Sequence, residues 1–120
     1  MNEKAKELQN RLVNFALKII EGTNELTNKR EFVISNQIRK SGTSIGANYY
    51  EACSAQSKAD FIAKISICLK EASETKYWLI LLERSNLMPH IFIEGGIPKE
   101  IQEIEKIFAS IIISARQNSK

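Results

Sequence analysis

Glycine and proline are scarce in this sequence: it has five glycines and two prolines in 120 residues. This is few for a β-rich chain, because strands need many tight turns. No apolar run approaches the roughly 20 residues of a membrane span, and the N-terminal residues lead directly into an amphipathic pattern without an apolar leader segment. We therefore expect one helical, cytoplasmic domain that spans residues 1–120.

An excess of one charge sign is also missing. The formal net charge is +3, from 17 Lys and Arg against 14 Asp and Glu. The basic residues form neither a tail nor a block. A nucleic-acid role is thus permitted by the bulk charge, and it would require basic side chains that the fold arranges into a pattern.

Cysteine and histidine are too few for most metal or nucleophilic sites. The two cysteines, Cys53 and Cys68, form no CxxC pair and have no histidine nearby, so we predict two reduced core residues. The single histidine, His90, follows Pro89 in a predicted loop, and we interpret it as an exposed or partly packed residue instead of a general base. The sequence predicts no catalytic residue, metal or cofactor.

What the sequence does contain is apolar residues at spacings of three and four, which predict four amphipathic helices in an antiparallel up-down bundle. The predicted bounds are Glu3 to about Glu21 with a stop at Gly22, about Lys29 to Ala52, a Ser57 cap with a helix to about Ser85, and a last helix with Pro98 at its first position. Between the last two, the Pro89–Gly96 loop has no assigned role, and its residues 91–93 are expected to form an irregular or short helical patch.

A cluster of small and polar residues lies in the second predicted helix, at Ser41-Gly42-Thr43-Ser44. Such a cluster is typical of a loop. The apolar residues Ile34, Ile38 and Ile45 nevertheless keep one helical phase through it, which favours a continuous helix. Because internal glycines cost about 1 kcal/mol each relative to alanine, we expect Gly42 and Gly46 to allow close packing against a neighbouring helix.

Two carboxylates, Glu71 and Glu74, are three residues apart in the third predicted helix. They could serve acid–base catalysis, or they could form ion pairs with Arg39, Lys40 or Lys76. The second interpretation is favoured, because no further chemical group accompanies the pair. We predict a buried polar layer that fixes the register of the helices. Its predicted members are Arg39, Ser44, Asn48, Glu51, Glu71 and Glu74.

The third predicted helix also carries a sparse basic strip, since Lys64, Lys70 and Lys76 recur every six residues. A strip of this kind is usually a solvated face, and it becomes a candidate nucleic-acid contact only if copies of the chain repeat it. The candidate nucleic-acid-binding residues are Arg39, Lys40, Lys58, Lys64 and Lys70.

Four segments carry a resemblance to a known family. They are QIRKSGTSIGANYYEA at residues 37–52, SKADFI at 57–62, ICLKEA at 67–72 and ETKYWL at 74–79. In order and spacing they resemble the bacterial 23S rRNA intervening sequence proteins. The resemblance covers about residues 30–85.

This resemblance implies an antiparallel four-helix bundle that assembles as a ring, typically a pentamer. The family is also similar to the accessory variability protein of diversity-generating retroelements, a basic pentamer that binds nucleic acid and a reverse transcriptase. We therefore expect a non-enzymatic homo-oligomer that binds RNA or DNA. The alternative is a protein-interaction scaffold whose surplus isoleucines and aromatic residues contact a partner protein, without direct nucleic-acid binding.

Overall fold

The computed structural model describes residues 2–118, and every regular element within that range is an α-helix. The five helices are α1 (Glu3–Asn28), α2 (Phe32–Ala52), α3 (Lys58–Arg84), α4 (His90–Glu94) and α5 (Ile97–Gln117). The predicted all-helical class is confirmed. Among the described residues, no helix is both long and apolar enough to cross a membrane.

Helix α1 begins at a side-chain cap, where Asn2 Oδ1 accepts a 2.8 Å hydrogen bond from the Ala5 N–H. The predicted stop at Gly22 is wrong, because α1 continues to Asn28. Two residues after this end, Arg30 adopts a φ of 65° and turns the chain, and the Glu31 N–H donates to the Leu26 carbonyl at 2.9 Å. Gly22 is buried inside the helix.

Helix α2 passes through the Ser41–Ser44 cluster without a break, so the predicted continuity is confirmed. The hydroxyls of Thr43 and Ser44 are satisfied by carbonyls one turn earlier, at 2.7 and 2.6 Å. A Cβ built on Gly42 would lie 3.0 Å from the Ile19 side chain, and one on Gly46 would lie 3.3 Å from Leu12 Cβ. The two glycines therefore let α2 approach α1 closely.

Helix α3 begins at the predicted cap: Ser57 Oγ accepts a 3.0 Å hydrogen bond from the Asp60 N–H. The Asp60 carboxylate reaches back to the Gln56 N–H at 3.3 Å. The helix ends at Arg84, close to the predicted end. Asn86 then adopts a φ of 60°, so that α3, like α1, ends with a residue other than glycine in the left-handed region.

The residues between α3 and α5 include the short helix α4, which is the form expected for residues 91–93. Phe92 is fully buried, and a Cβ on Gly22 would lie only 2.1 Å from Phe92 Cε1. Glycine is therefore required at position 22, because a larger residue would overlap the Phe92 ring. Pro98 occupies the second position of α5 and not the predicted first, because Gly96, with a φ of 68°, precedes Ile97 as the cap.

The four long helices pack in chain order, α1 on α2, α2 on α3 and α3 on α5. Nineteen buried hydrophobic residues form the core between them, with Leu12, Ile19, Ile45, Ile65 and Phe108 among the most buried. By contrast, α1 and α5 contact each other at few positions. One edge of the molecule is therefore less tightly closed than the rest.

Candidate functional site

A buried hydroxyl pair joins α2 to α3. Ser41 and Thr75 are both fully buried, and Thr75 Oγ1 lies 2.8 Å from Ser41 Oγ and 2.8 Å from the Glu71 carbonyl oxygen. Elsewhere between these two helices, the Cys68 thiol donates a weak 3.5 Å hydrogen bond to the Ile45 carbonyl. Neither Ser41 nor Thr75 is among the six residues of the predicted polar layer.

The six residues of the predicted layer do not form one buried layer within this chain. Arg39 and Glu51 are exposed, and the other four are partly buried. Ser44 and Asn48 bond to carbonyls within α2, at 2.6 and 2.8 Å. Because their own helix satisfies these side chains, they have no need of a partner on α3. Between α2 and α3, the buried hydroxyl pair is Ser41 and Thr75.

Within residues 2–118, neither Glu71 nor Glu74 forms a salt bridge with Arg39, Lys40 or Lys76. Glu74 accepts a 3.3 Å hydrogen bond from Trp78 Nε1 on its own helix. Lys76, a predicted partner, lies 3.3 Å from Glu105 of α5 instead. Ser73 donates to the same Glu105 at 2.9 Å, so this carboxylate links α3 and α5.

The candidate nucleic-acid-binding residues fall into two groups. Arg39, Lys40 and Lys70 are exposed, and within residues 2–118 none of them forms a salt bridge. Lys64 is paired with Glu51 at 3.0 Å, and the Lys58 ammonium donates to the Asn118 carbonyl at 3.0 Å. Lys58 and Lys70 are separated by about 18 Å along α3 at 1.5 Å per residue. The five residues thus lie along two helices instead of in one cluster.

The two thiols are free, as predicted, and differ in their surroundings. Cys68 is fully buried, and burial raises the pKa of its thiol to about 12. Cys53 is only partly buried. Burial also raises the pKa of Tyr49, one turn before Cys53, to about 12. His90 is exposed at the start of α4.

An open groove between α1 and α5 has a volume of about 1210 Å³. It lies where α1 begins and α5 ends, and Tyr49, Phe61 and Ile111 contribute apolar side chains to it. The sequence analysis missed this groove. The available signal was the surplus of apolar residues in the last helix, where Ile107, Ile112 and Ile113 widen the apolar face beyond one stripe. Of these three residues, Ile107 lines the groove.

Farther along the same two helices, an ion pair joins α1 to α5. Arg11 Nε and Nη2 each donate a 2.7 Å hydrogen bond to the Glu100 carboxylate. The pKa of Arg11 is raised, chiefly by this hydrogen bond to Glu100. Among the described residues, no group of three or more His, Cys, Asp and Glu side chains could hold a metal ion.

Residues 2–118 therefore define a small all-helical protein whose polar and basic side chains are distributed over the surfaces of long helices. A family model described as 23S rRNA-intervening sequence protein matches residues 4–110. The chain belongs to this family.

The chain is also similar to a protein of unknown function from Bacteroides thetaiotaomicron VPI-5482, which is assigned to the S23 ribosomal protein family and whose crystal structure is known. The two are 47% identical, the match covers 87% of this chain and 96% of the other, and the TM-score is 0.79. The comparison with curated proteins gave no match.

Proposed function

We propose that this protein is a non-enzymatic, nucleic-acid-associated accessory protein of the cytoplasm, which binds RNA or DNA through exposed basic side chains on α2 and α3. The observation that carries the proposal is that Arg39, Lys40 and Lys70 are exposed on adjacent helices with no salt-bridge partner among the described residues. Lys58 and Lys64 would extend the surface along α3. Unpaired cations of this kind can neutralise phosphates and release counterions.

Self-assembly is part of the proposal. We take the fold to be an antiparallel up-down four-helix bundle, supported by the order of contacts: Ile19 meets Gly42, whereas the earlier Leu12 meets the later Gly46. Exposed Val13, Leu17 and Tyr77 leave apolar surface for contacts between copies. In a ring, proposed here as a pentamer, three unpaired cations per chain would be repeated around the assembly.

The function of the relative from Bacteroides is unknown, and the name of its family refers to ribosomal proteins. The family to which this chain belongs is named for sequences that interrupt 23S rRNA. Both names make RNA the first ligand to test. A relationship to the accessory variability protein of diversity-generating retroelements would add DNA and a reverse transcriptase as partners, and it remains part of the proposal.

The test is fluorescence anisotropy of labelled 23S rRNA fragments, titrated with the protein from low to moderate salt. We expect salt-sensitive binding that the double variant Lys40→Glu/Lys70→Glu weakens by tenfold or more. The matched control is Lys6→Glu/Lys99→Glu, which changes the net charge equally on exposed positions of α1 and α5. An equal loss in both double variants would show that only bulk charge matters, and it would remove the assigned surface.

The oligomeric state has a separate measurement. Light scattering coupled to size-exclusion chromatography should give a mass near five times 13.6 kDa. A monomer mass at micromolar concentration would contradict the ring, and nucleic-acid binding would then have to be carried by a single chain.

The alternative function, a protein-interaction scaffold, is favoured by one observation, the open apolar groove between α1 and α5.

A further inference from the structure

The groove between α1 and α5 has an apolar floor. Leu8 of α1, Phe61 of α3, and Ile107 and Ile111 of α5 line it, and each of the four side chains is only partly buried. Its volume of about 1210 Å³ exceeds that of a typical pocket for one small molecule, about 300–1000 Å³. The groove has the size and the character of a site for a segment of protein.

The rim of the groove is basic. The charged side chains that line it within residues 2–118 are four cations, Lys4, Arg11, Lys58 and Lys106, and one anion, Glu7. Arg11 is neutralised by Glu100, and Lys58 donates to a backbone carbonyl. Lys4 and Lys106 form no salt bridge in the described chain, so they are available to an acidic occupant from opposite helices.

The shape favours a helix as the occupant. The groove follows α5 from Lys106 to Asn118, which is about 18 Å or three turns of helix. A third helix lying between α1 and α5 would cover the floor with its apolar face and place its polar flanks against both rims, which is a common mode of peptide recognition. Nucleic acid offers phosphates for the lysines, but it has no equivalent side-chain stripe for an aliphatic floor.

We propose that this groove is a docking site for an acidic amphipathic helix of a partner protein, with its apolar face on Leu8, Phe61 and Ile111 and its carboxylates against Lys4 and Lys106. Of the proposed nucleic-acid-binding residues, only Lys58 lines the groove, so the site is distinct from the surface formed by Arg39, Lys40 and Lys70. The partner would bind without displacing nucleic acid from those three residues.

The probe is a fluorescein-labelled synthetic helix of about 14 residues, with Leu at every third or fourth position and Glu on the other faces. A matched peptide carries Lys in place of each Glu. Anisotropy should show micromolar binding of the acidic peptide, and affinity for the basic peptide at least about tenfold weaker. Equal affinity for both peptides would overturn the proposal.

Two double variants locate the site. Lys4→Glu/Lys106→Glu should weaken the acidic peptide by about tenfold, because both rims then repel it. Lys6→Glu/Lys99→Glu makes the same charge change on α1 and α5 outside the groove lining and should change the affinity by less than about twofold. Circular dichroism confirms that both variants fold. If both double variants lost the same affinity for the acidic peptide, net charge alone would explain the binding, and the docking site would be refuted.

Cys53 supplies a readout inside the groove. It lines the groove and is partly exposed, whereas Cys68 is fully buried. Saturating acidic peptide should slow alkylation of Cys53 by at least about fivefold. The proposal is overturned if Cys53 stays unprotected, if an RNA oligonucleotide protects it equally well, or if raising the protein concentration alone protects it, which would make a second copy of this chain the occupant.

Discussion

Helix α2 packs closely between α1 and α3, whereas α1 packs only loosely against α5. On the first side, Gly42 and Gly46 bring α2 against Ile19 and Leu12, and Ser41 meets Thr75 in a fully buried contact. On the second side, α1 and α5 are joined by the Arg11–Glu100 ion pair, with Phe92 of α4 packed on α1 and an open groove where α1 begins. Small residues allow α2 to contact its neighbours closely, whereas the contact between α1 and α5 depends on an ion pair between long side chains and on the Phe92 ring.

This difference indicates which parts of the molecule can change. Where two helix backbones pack closely, no free volume remains, because even one added methyl group must displace a neighbouring atom. A contact made by an exposed ion pair can open with little loss of stability. We therefore expect the α1–α5 side to accommodate ligands and the α2 contacts to hold the architecture.

The largest expected effect is on thiol reactivity. With iodoacetamide at pH 8, Cys53 on the groove side should react at least about a hundredfold faster than Cys68 between α2 and α3. Cys68 is fully buried and its pKa is raised to about 12, so little thiolate is present and reagent cannot reach it. Mass spectrometry of digests gives the two rates. Comparable rates in the native protein would show that the α2–α3 contact opens easily.

The next effect concerns the ring of Phe92. The substitution Gly22→Ala should lower the free energy of unfolding by about 2–4 kcal/mol, because the new methyl group would overlap the ring and force it out. Urea denaturation measures the loss. Adding Phe92→Leu to the variant should restore part of it. A gain of about 1 kcal/mol, as helix propensity alone predicts for Gly→Ala, would contradict this account.

The buried hydroxyl pair gives a smaller, asymmetric effect. Thr75→Val should cost about 1–2 kcal/mol, since it leaves Ser41 Oγ buried with only the distant Ile38 carbonyl at 3.5 Å. Ser41→Ala should cost less, because Thr75 keeps its 2.8 Å hydrogen bond to the Glu71 carbonyl. In the double variant the losses should not add. Equal or additive losses would show that the two hydroxyls act independently.

The smallest effect is on the α1–α5 side. Arg11→Gln should cost no more than about 1 kcal/mol, and the cost should shrink at high salt, because the Arg11 side chain is 41% exposed and water screens the pair. Urea denaturation at two salt concentrations gives both values. The exchange Arg11→Glu/Glu100→Arg should recover the loss. A large, salt-independent loss would show that this side is closed as firmly as the other.

Much of the fold was accessible from the sequence because it depends on local pattern. The phase of Ile34, Ile38 and Ile45 predicted the continuity of α2, and Ser57 predicted the start of α3. The failure at Gly22 has a nonlocal cause. A glycine that ends a helix and a glycine that receives Phe92 look the same in the sequence, and only the contact across 70 positions separates them.

The candidate sites were less accessible, for a related reason. The sequence identified the stretch that carries the buried polar contact, but Ser44 and Asn48 bond within their own helix and Ser41 faces Thr75. That choice depends on which side of α2 meets α3. The groove depends on the spacing between α1 and α5, which the pattern of either helix alone does not determine. The surplus isoleucines of the last helix indicated that some apolar surface stays uncovered, but they did not show where this surface lies or that it forms a groove.

The position of the groove has a practical consequence for engineering. Asn2 and Asn118 both line it, so the two ends of the described chain lie at the same end of the molecule. A linker could therefore join them. New ends could be opened in the connection between α3 and α4, which follows the end of α3 that is far from its groove-lining residues. In such a circular permutant, the linker would cross the groove at the position where Asn2 and Asn118 line it. Affinity tags attached at either original end would, by the same geometry, compete with whatever enters there.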